Sequence, residues 1–295
     1  MLEDLLTEQP NPASASIDAL PTEEALRIVN AEDRKVADAV EREIPAIARA
    51  VDAIVAALER GGRLFYIGAG TSGRLGVLDA AEIPPTFGAP AEMVQGIIAG
   101  GEAALSRATE STEDDPAIGV LDLVARGFTG GDVLVGIAAS GRTPYVLGAV
   151  AEARRQGAVT VGISCTPESE LARAVEIAIT PLVGPEVVAG STRMKAGTAQ
   201  KLVLNMLSTG AFMRLGWVYG NLMVNVQPKN RKLVDRARRI IAQVAGVSCE
   251  RAGELLAQAG DNVRTAIVMA KRGIDREEAE RRLAAAGGRV AKAIL

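Results

Sequence analysis

Five short apolar runs punctuate the first two thirds of the chain, at 63–67, 93–98, 132–137, 159–164 and 176–182. Each is continuously apolar rather than alternating, the pattern of strands covered on both faces. Between them, near 72–81, 116–126 and 143–156, apolar residues recur with helical spacing. Strand and helix in alternation predict an α/β fold, a three-layer sandwich around a five-stranded parallel sheet. A long helix over 195–216 closes this part, with Trp217 and Tyr219 packing where it ends. Met194, Met206 and Met213 are expected to fill the core.

Ahead of the sheet, residues 1–22 are rich in Pro, Asn, Ser and Ala and predict an extended arm. Thr22-Glu23-Glu24 has the form of a helix start, a hydroxyl followed by acidic residues. Ala25, Ile28, Val29, Val36, Val40 and Ile44 then trace one long helix, which restarts at Pro45 and runs to about Arg60. Beyond Pro228-Lys229-Asn230 the chain is charged and helical, broken by Gly at 246, 253, 260, 273 and 287–288. The expected organisation is an arm and helix over 1–50, a sheet domain over 51–239 and a small helical module over 240–295.

Composition narrows the chemistry. The 295 residues are 48% hydrophobic, enough for a sizeable core. A net charge of −3 gives no electrostatic reason to expect nucleic acid or an anionic membrane as partner. The apolar runs are too short to span a bilayer. The acidic start, Met1-Leu2-Glu3-Asp4-Leu5-Leu6, lacks the basic opening of a signal peptide, so a cytoplasmic setting is expected. Cys165 and Cys249 fit no metal spacing and are expected as two buried free thiols. The chain contains no histidine. Ser-His-Asp and Cys-His catalysis are therefore excluded, and proton transfer falls to carboxylates, Lys, Tyr or Cys.

Two turns carry the candidate chemistry. Gly68-Ala69-Gly70-Thr71-Ser72-Gly73 follows the first apolar run, and Ala139-Ser140-Gly141-Arg142-Thr143 follows the third. A strand that ends in Gly, Ser and Thr and opens a helix aims backbone N–H groups and hydroxyls at one spot, where the helix dipole favours an anion. Thr71, Ser72, Gly73, Ser140, Gly141 and Thr143 are the first choices for gripping a small phosphorylated molecule. Ordinary helix capping is the plainer role for such residues, but the same chemistry occurs twice. Ser191, Thr192 and Lys195 stand at a further helix start and are candidates for a phosphate or a carboxylate, although Arg193 and Lys195 fit surface charges equally well. Glu186 is a candidate for a sugar hydroxyl. Gly68, Gly70 and Gly73 also satisfy the dinucleotide-binding pattern G-x-G-x-x-G. That reading wants an acid at the end of the second strand, and Glu92 lies before it.

Three longer stretches sharpen the picture: Asp79-Ala80-Ala81-Glu82-Ile83-Pro84-Pro85-Thr86-Phe87-Gly88, Ala108-Thr109-Glu110-Ser111-Thr112-Glu113-Asp114 and Gly190-Ser191-Thr192-Arg193-Met194-Lys195-Ala196-Gly197-Thr198. With these and the opening Leu6-Thr7-Glu8-Gln9-Pro10-Asn11-Pro12, the chain resembles the SIS family of phosphosugar-binding domains. Within it, the resemblance over nearly the whole length is to the N-acetylmuramic acid 6-phosphate etherases. That resemblance implies a lyase that splits the ether between C3 of the amino sugar and its D-lactyl group, with no metal or organic cofactor. It implies a catalytic pair, Glu82 as the acid on the lactyl oxygen and Glu113 as the base, with Glu110 the alternative to Glu113. It also implies a C-terminal module of the ubiquitin-associated type. Ile83-Pro84-Pro85 and Phe87 are expected to surround Glu82 with apolar groups that raise its pKa.

If 72–81 is one helix, Glu82 lies roughly 15 Å from its phosphate-binding end, at 1.5 Å per residue. Glu82 must then fold back on a Pro84-Pro85 loop or serve a neighbouring subunit, which predicts a homodimer. Two other functions share the fold: an aldose–ketose isomerase of phosphosugars, and a phosphosugar sensor without catalysis.

Overall fold

Hydrophobic continuity is why the five runs pair only with one another. In the computed structural model, which describes residues 6–107, 112–228 and 230–295, they form β1 (Leu64–Gly68), β2 (Val94–Ile98), β3 (Val133–Ile137), β4 (Val159–Ile163) and β5 (Ile177–Ile179). Every pairing is parallel, in the order β2-β1-β3-β4-β5. The register aligns Leu64 with Val94 and Val133, and Gly68 with Ile98 and Ile137, so β1, β2 and β3 end level.

Helices precede and separate the strands. The expected single helix before the sheet is three: α1 (Thr22–Asp33), α2 (Lys35–Glu41) and α3 (Ile44–Glu59). Pro21, not Thr22, occupies the cap position of α1. Then follow α4 (Gly70–Phe87), α5 (Ala103–Ser106), α6 (Pro116–Ala125), α7 (Pro144–Arg155), α8 (Glu170–Ala174) and α9 (Lys195–Arg214). Strand alternation sends Phe65, Ile67 and Leu134 to one face, where they are buried with Leu123, Tyr145, Val146 and Val150 of α6 and α7. Tyr66 faces the other way. Its hydroxyl donates to Asp79 of α4 at 3.0 Å, and Asp79 also accepts from Asn205 and Ser208 of α9. Burial and the Asp79 charge push the Tyr66 pKa well above its ordinary value. Three donors satisfy one buried carboxylate, so this polar knot fixes α4 and α9 against β1 at little desolvation cost.

The chain divides into two units, one running to Ala81 and over Ala91–Ser208, the other over Glu82–Pro90 and Thr209–Leu295. In the second, a short hairpin, β6 (Val218–Tyr219) and β7 (Leu222–Met223), precedes five helical segments: α10 (Arg231–Ala245), α11 (Cys249–Gln258), α12 (Val263–Arg272), α13 (Arg276–Ala285) and α14 (Val290–Ala293). Asn230, Ser248, Asn262 and Asp275 cap the N-termini of the first four through side-chain oxygens. Ala237, Ile241, Leu256, Val263 and Ile267 lie in the core of this unit. Gly253 is not a break but lies inside α11. Phe212 stacks on Phe87 at 4.6 Å and meets Trp217 at 4.8 Å. Met206 and Met213, expected in the core, are exposed, and so is Cys249, while Cys165 is buried. Among the described residues no helix is long and apolar enough to cross a membrane.

Candidate active site

The sheet reverses direction of growth at β1, which has β2 on one side and β3 on the other. In open α/β sheets such a switch point opens a crevice at the carboxyl ends of the strands. Both glycine-hydroxyl turns leave the sheet there, one from β1 and one from β3.

The first turn is shaped by a close approach. A Cβ on Gly73 would lie 2.6 Å from the Gly68 carbonyl oxygen, and one on Gly68 would lie 2.7 Å from the Gly73 nitrogen. Only glycine fits at both positions, so the helix starts hard against the strand end. The first N–H groups of a helix have no intrahelical acceptor and sit at the positive end of its dipole. Ser72 is buried, and its hydroxyl donates to Gln200 Oε1 at 3.0 Å. Thr71 is half-buried, its methyl beside Gly197 in the first turn of α9.

The second turn is held by Gly141, whose φ of +66° favours glycine and whose missing side chain leaves room for Ser169. Ser140 accepts the Arg142 N–H at 3.3 Å. Thr143 occupies the cap position of α7 but makes no side-chain capping bond. The next residue, Pro144, has no N–H to be capped. The plainer capping role is thus not the one that Thr143 performs.

A third turn was legible and was missed. Ser164-Cys165-Thr166 follows β4 with the same strand-then-hydroxyl pattern. Thr166 donates to the Ala139 carbonyl at 3.3 Å, and Ser169 donates to Ser164 at 3.1 Å while capping α8. These bonds brace the second turn. Burial, with Glu186 nearby, pushes the Cys165 thiol up to about 12, so it is no nucleophile near neutral pH.

The start of α9 differs from expectation. Glu186 is buried, and its two carboxylate oxygens accept the N–H groups of Lys195 at 3.0 Å and Ala196 at 2.9 Å. It is a helix cap placed where the dipole rewards negative charge. Lys195 is 1% exposed, and its Nζ donates to Glu32 Oε2 at 2.7 Å. Lys35 and Asn11 also donate to Glu32. Burial alone would raise the Glu32 pKa, but these donors outweigh it and hold the carboxyl at about 2. Lys195 is therefore not a surface charge. Ser191 and Thr192 are half-buried ahead of it, and Arg193 is exposed.

The N-terminal arm explains why this stretch is ordered. Residues 12–14 and 17–19 form short 3-10 turns rather than extended chain. Asn11 donates to the Pro185 carbonyl at 2.9 Å and Ser14 to the Val187 carbonyl at 2.7 Å. The Thr7 carbonyl accepts the Gly190 N–H at 3.0 Å. The arm thus buttresses the segment that presents Ser191 and Thr192.

The two expected catalytic glutamates are placed differently. Glu113 is half-buried, and its carbonyl accepts the N–H of Tyr145 at 3.1 Å, two residues beyond Thr143. It stands beside the second turn. Glu110, the alternative, lies outside the described residues. Glu82 belongs to the second unit and is exposed near the end of α4. That helix runs unbroken through Pro84 and Pro85 to Phe87, so Glu82 does not sit on a returning loop. Each proline forgoes the bond to the carbonyl four residues back, that of Ala80 or Ala81, near the end of the helix. Ile83 and Phe87 are buried while Glu82 is not. The apolar surroundings expected for Glu82 belong to its helix neighbours. Among the described residues no three His, Cys, Asp or Glu side chains are grouped to hold a metal ion.

Comparison with known proteins agrees with this fold. A family model described as "Glucokinase regulatory protein N-terminal SIS domain" matches residues 46–154, and the SIS domain model matches 117–210. A solved protein of E. coli CFT073 shares the fold, with a TM-score of 0.50, 17% identity and coverage of 68% of this chain and 97% of that one. The N-acetylmuramic acid 6-phosphate etherase of Aeromonas hydrophila is 57% identical over 97% of this chain and 96% of its own length. That of Serratia proteamaculans is 57% identical over 95% of this chain and 94% of its own. At this identity and coverage, the chain belongs to the N-acetylmuramic acid 6-phosphate etherase family.

Proposed function

We propose that this protein is a carbon–oxygen lyase that converts N-acetylmuramic acid 6-phosphate and water to N-acetylglucosamine 6-phosphate and D-lactate. The observation that carries the reading is 57% identity to N-acetylmuramic acid 6-phosphate etherases over nearly the whole chain; the backbone bond from Tyr145 to the Glu113 carbonyl supports it. The etherase relatives supply the reaction.

In this reading Thr71, Ser72, Gly73, Ser140, Gly141 and Thr143 hold the phosphate, with Ser191 and Thr192 at the border of the site. The sugar opens to its aldehyde, which acidifies the proton on C2. Glu113 removes that proton, the bond from C3 to the lactyl oxygen breaks, and Glu82 protonates the departing oxygen. Water then adds across the C2–C3 double bond. Its hydroxyl goes to C3 and its proton to Glu82, while Glu113, whose proton has exchanged with solvent, returns a solvent-derived proton to C2. Both carboxyls end as they began, so two glutamates suffice. A homodimer in which Glu82 serves a neighbouring subunit, working in the cytoplasm, belongs to the same proposal.

Incubated with N-acetylmuramic acid 6-phosphate, the protein should release D-lactate and N-acetylglucosamine 6-phosphate in equal amounts. The sugar without its phosphate should be used about a thousandfold less efficiently in kcat/KM, because two or more charge-assisted hydrogen bonds are lost. Aldose–ketose interconversion without lactate would make the protein an isomerase. Binding without turnover would make it a sensor.

A further inference from the structure

Gln200 of α9 is 1% exposed, yet its Nε2 has no hydrogen-bond partner. Its Oε1 accepts the hydroxyl proton of Ser72 at 3.0 Å. An unsatisfied buried amide is costly, and this one touches Ser72, a candidate for gripping phosphate. Several other polar groups around the start of α9 are bound elsewhere. The Lys195 and Ala196 N–H groups are bound to Glu186, and the Lys195 ammonium to Glu32. Gln200 is a polar group by which α9 reaches the first turn.

The chemistry is set by counting protons. A serine hydroxyl has one. Donated to Gln200 Oε1, it is not available to a phosphate oxygen, and a phosphate dianion has no proton to give back. Ser72 in this state presents only lone pairs to an anion. A half-turn of the Gln200 amide exchanges Oε1 for Nε2. Nε2 then donates to Ser72 Oγ, which ends its isolation and turns the Ser72 proton towards the ligand. We propose that Gln200 is a positioning residue that sets the polarity of the Ser72 hydroxyl, so that phosphate binding and the turn of its amide occur together. The inference rests on the reading of the first turn as a phosphate grip.

The test compares Gln200→Glu with Gln200→Met. An ionised glutamate can only accept, so above the pH at which its buried carboxyl ionises it locks the Ser72 proton away from the ligand and adds a like charge. Methionine has a similar length and neither accepts nor donates strongly, so Ser72 can turn its proton outward unaided. Dissociation constants for inorganic phosphate and for N-acetylglucosamine 6-phosphate, with KM and kcat, are measured for both variants, and Ser72→Ala serves as the control. The expected result is a 30- to 100-fold weaker phosphate affinity and a matching rise in KM for Gln200→Glu, with kcat within about threefold of the parent. Gln200→Met should lose threefold or less. As the pH falls and the new carboxyl is protonated and can donate, Gln200→Glu should recover affinity relative to the parent at the same pH. Equal losses in both variants, or unchanged affinity in Gln200→Glu while Ser72→Ala is weakened, would overturn the role of Gln200 and leave the phosphate grip standing. Unchanged affinity in Ser72→Ala would remove the grip and the inference together.

Discussion

Glu113→Gln is expected to lower kcat by about a thousandfold while leaving phosphosugar affinity within a few fold. Positioned general acids and bases contribute roughly 10²- to 10⁴-fold, and the amide keeps the shape of the carboxyl while losing its basicity. Glu82→Gln is expected to lose lactate release to a similar degree, for a different reason. Without the acid the C3–oxygen bond cannot break easily, yet Glu113 can still remove and return the C2 proton. In deuterium oxide the Glu82 variant should therefore exchange the C2 proton of the substrate, and the Glu113 variant should not. Exchange by the Glu113 variant alone would swap the two roles. Lactate release within tenfold of the parent in both variants would remove the pair from the chemistry.

The second large effect concerns stability. Lys195→Met is expected to destabilise the protein by about 3–5 kcal/mol, because it leaves the Glu32 carboxylate buried without its main counter-charge. Glu32→Gln strands the Lys195 ammonium and should cost a similar amount. The double variant should cost much less than the sum of the two, since replacing both partners removes the uncompensated charge. The pair also dictates an acid response. The Glu32 carboxyl is held at about 2, below its ordinary value of 4.5, so its contribution is complete above pH 4.5 and is lost as the pH falls towards 2. That contribution is roughly 3 kcal/mol. Denaturant unfolding of the parent should show this loss between pH 4.5 and 2, and the double variant should show it much reduced. Additive single and double variants would show that the two side chains are not coupled.

The parts of the fold written in local chemistry were legible. Continuous apolar runs such as Leu64–Gly68 and Val133–Ile137 specify buried strands, and the glycines of the first turn specify a helix starting hard against a strand. What was not legible depends on distant partners. Glu186 and Lys195 are polar residues near a helix start, which in sequence looks like a ligand site. Only the fold reveals that Glu186 caps α9 and that Lys195 meets Glu32, 163 residues away. Gln200 carries no motif at all, and its contact with Ser72 spans 128 residues. Pro84-Pro85 signalled a helix end, but the first helical turns of α4 and the burial of Ile83 and Phe87 carry the helix past it. Ser164-Cys165-Thr166 has the same strand-then-hydroxyl pattern, but no glycine marks it.

The most direct test of elimination and readdition at C2 and C3 is the fate of solvent atoms. The reaction is run in deuterium oxide enriched in oxygen-18, and both products are read by mass spectrometry and proton NMR. The account predicts one deuterium on C2 of the N-acetylglucosamine 6-phosphate, oxygen-18 on its C3, and D-lactate that keeps the ether oxygen of the substrate. A product with no deuterium on C2, or lactate that carries the solvent oxygen, would contradict it.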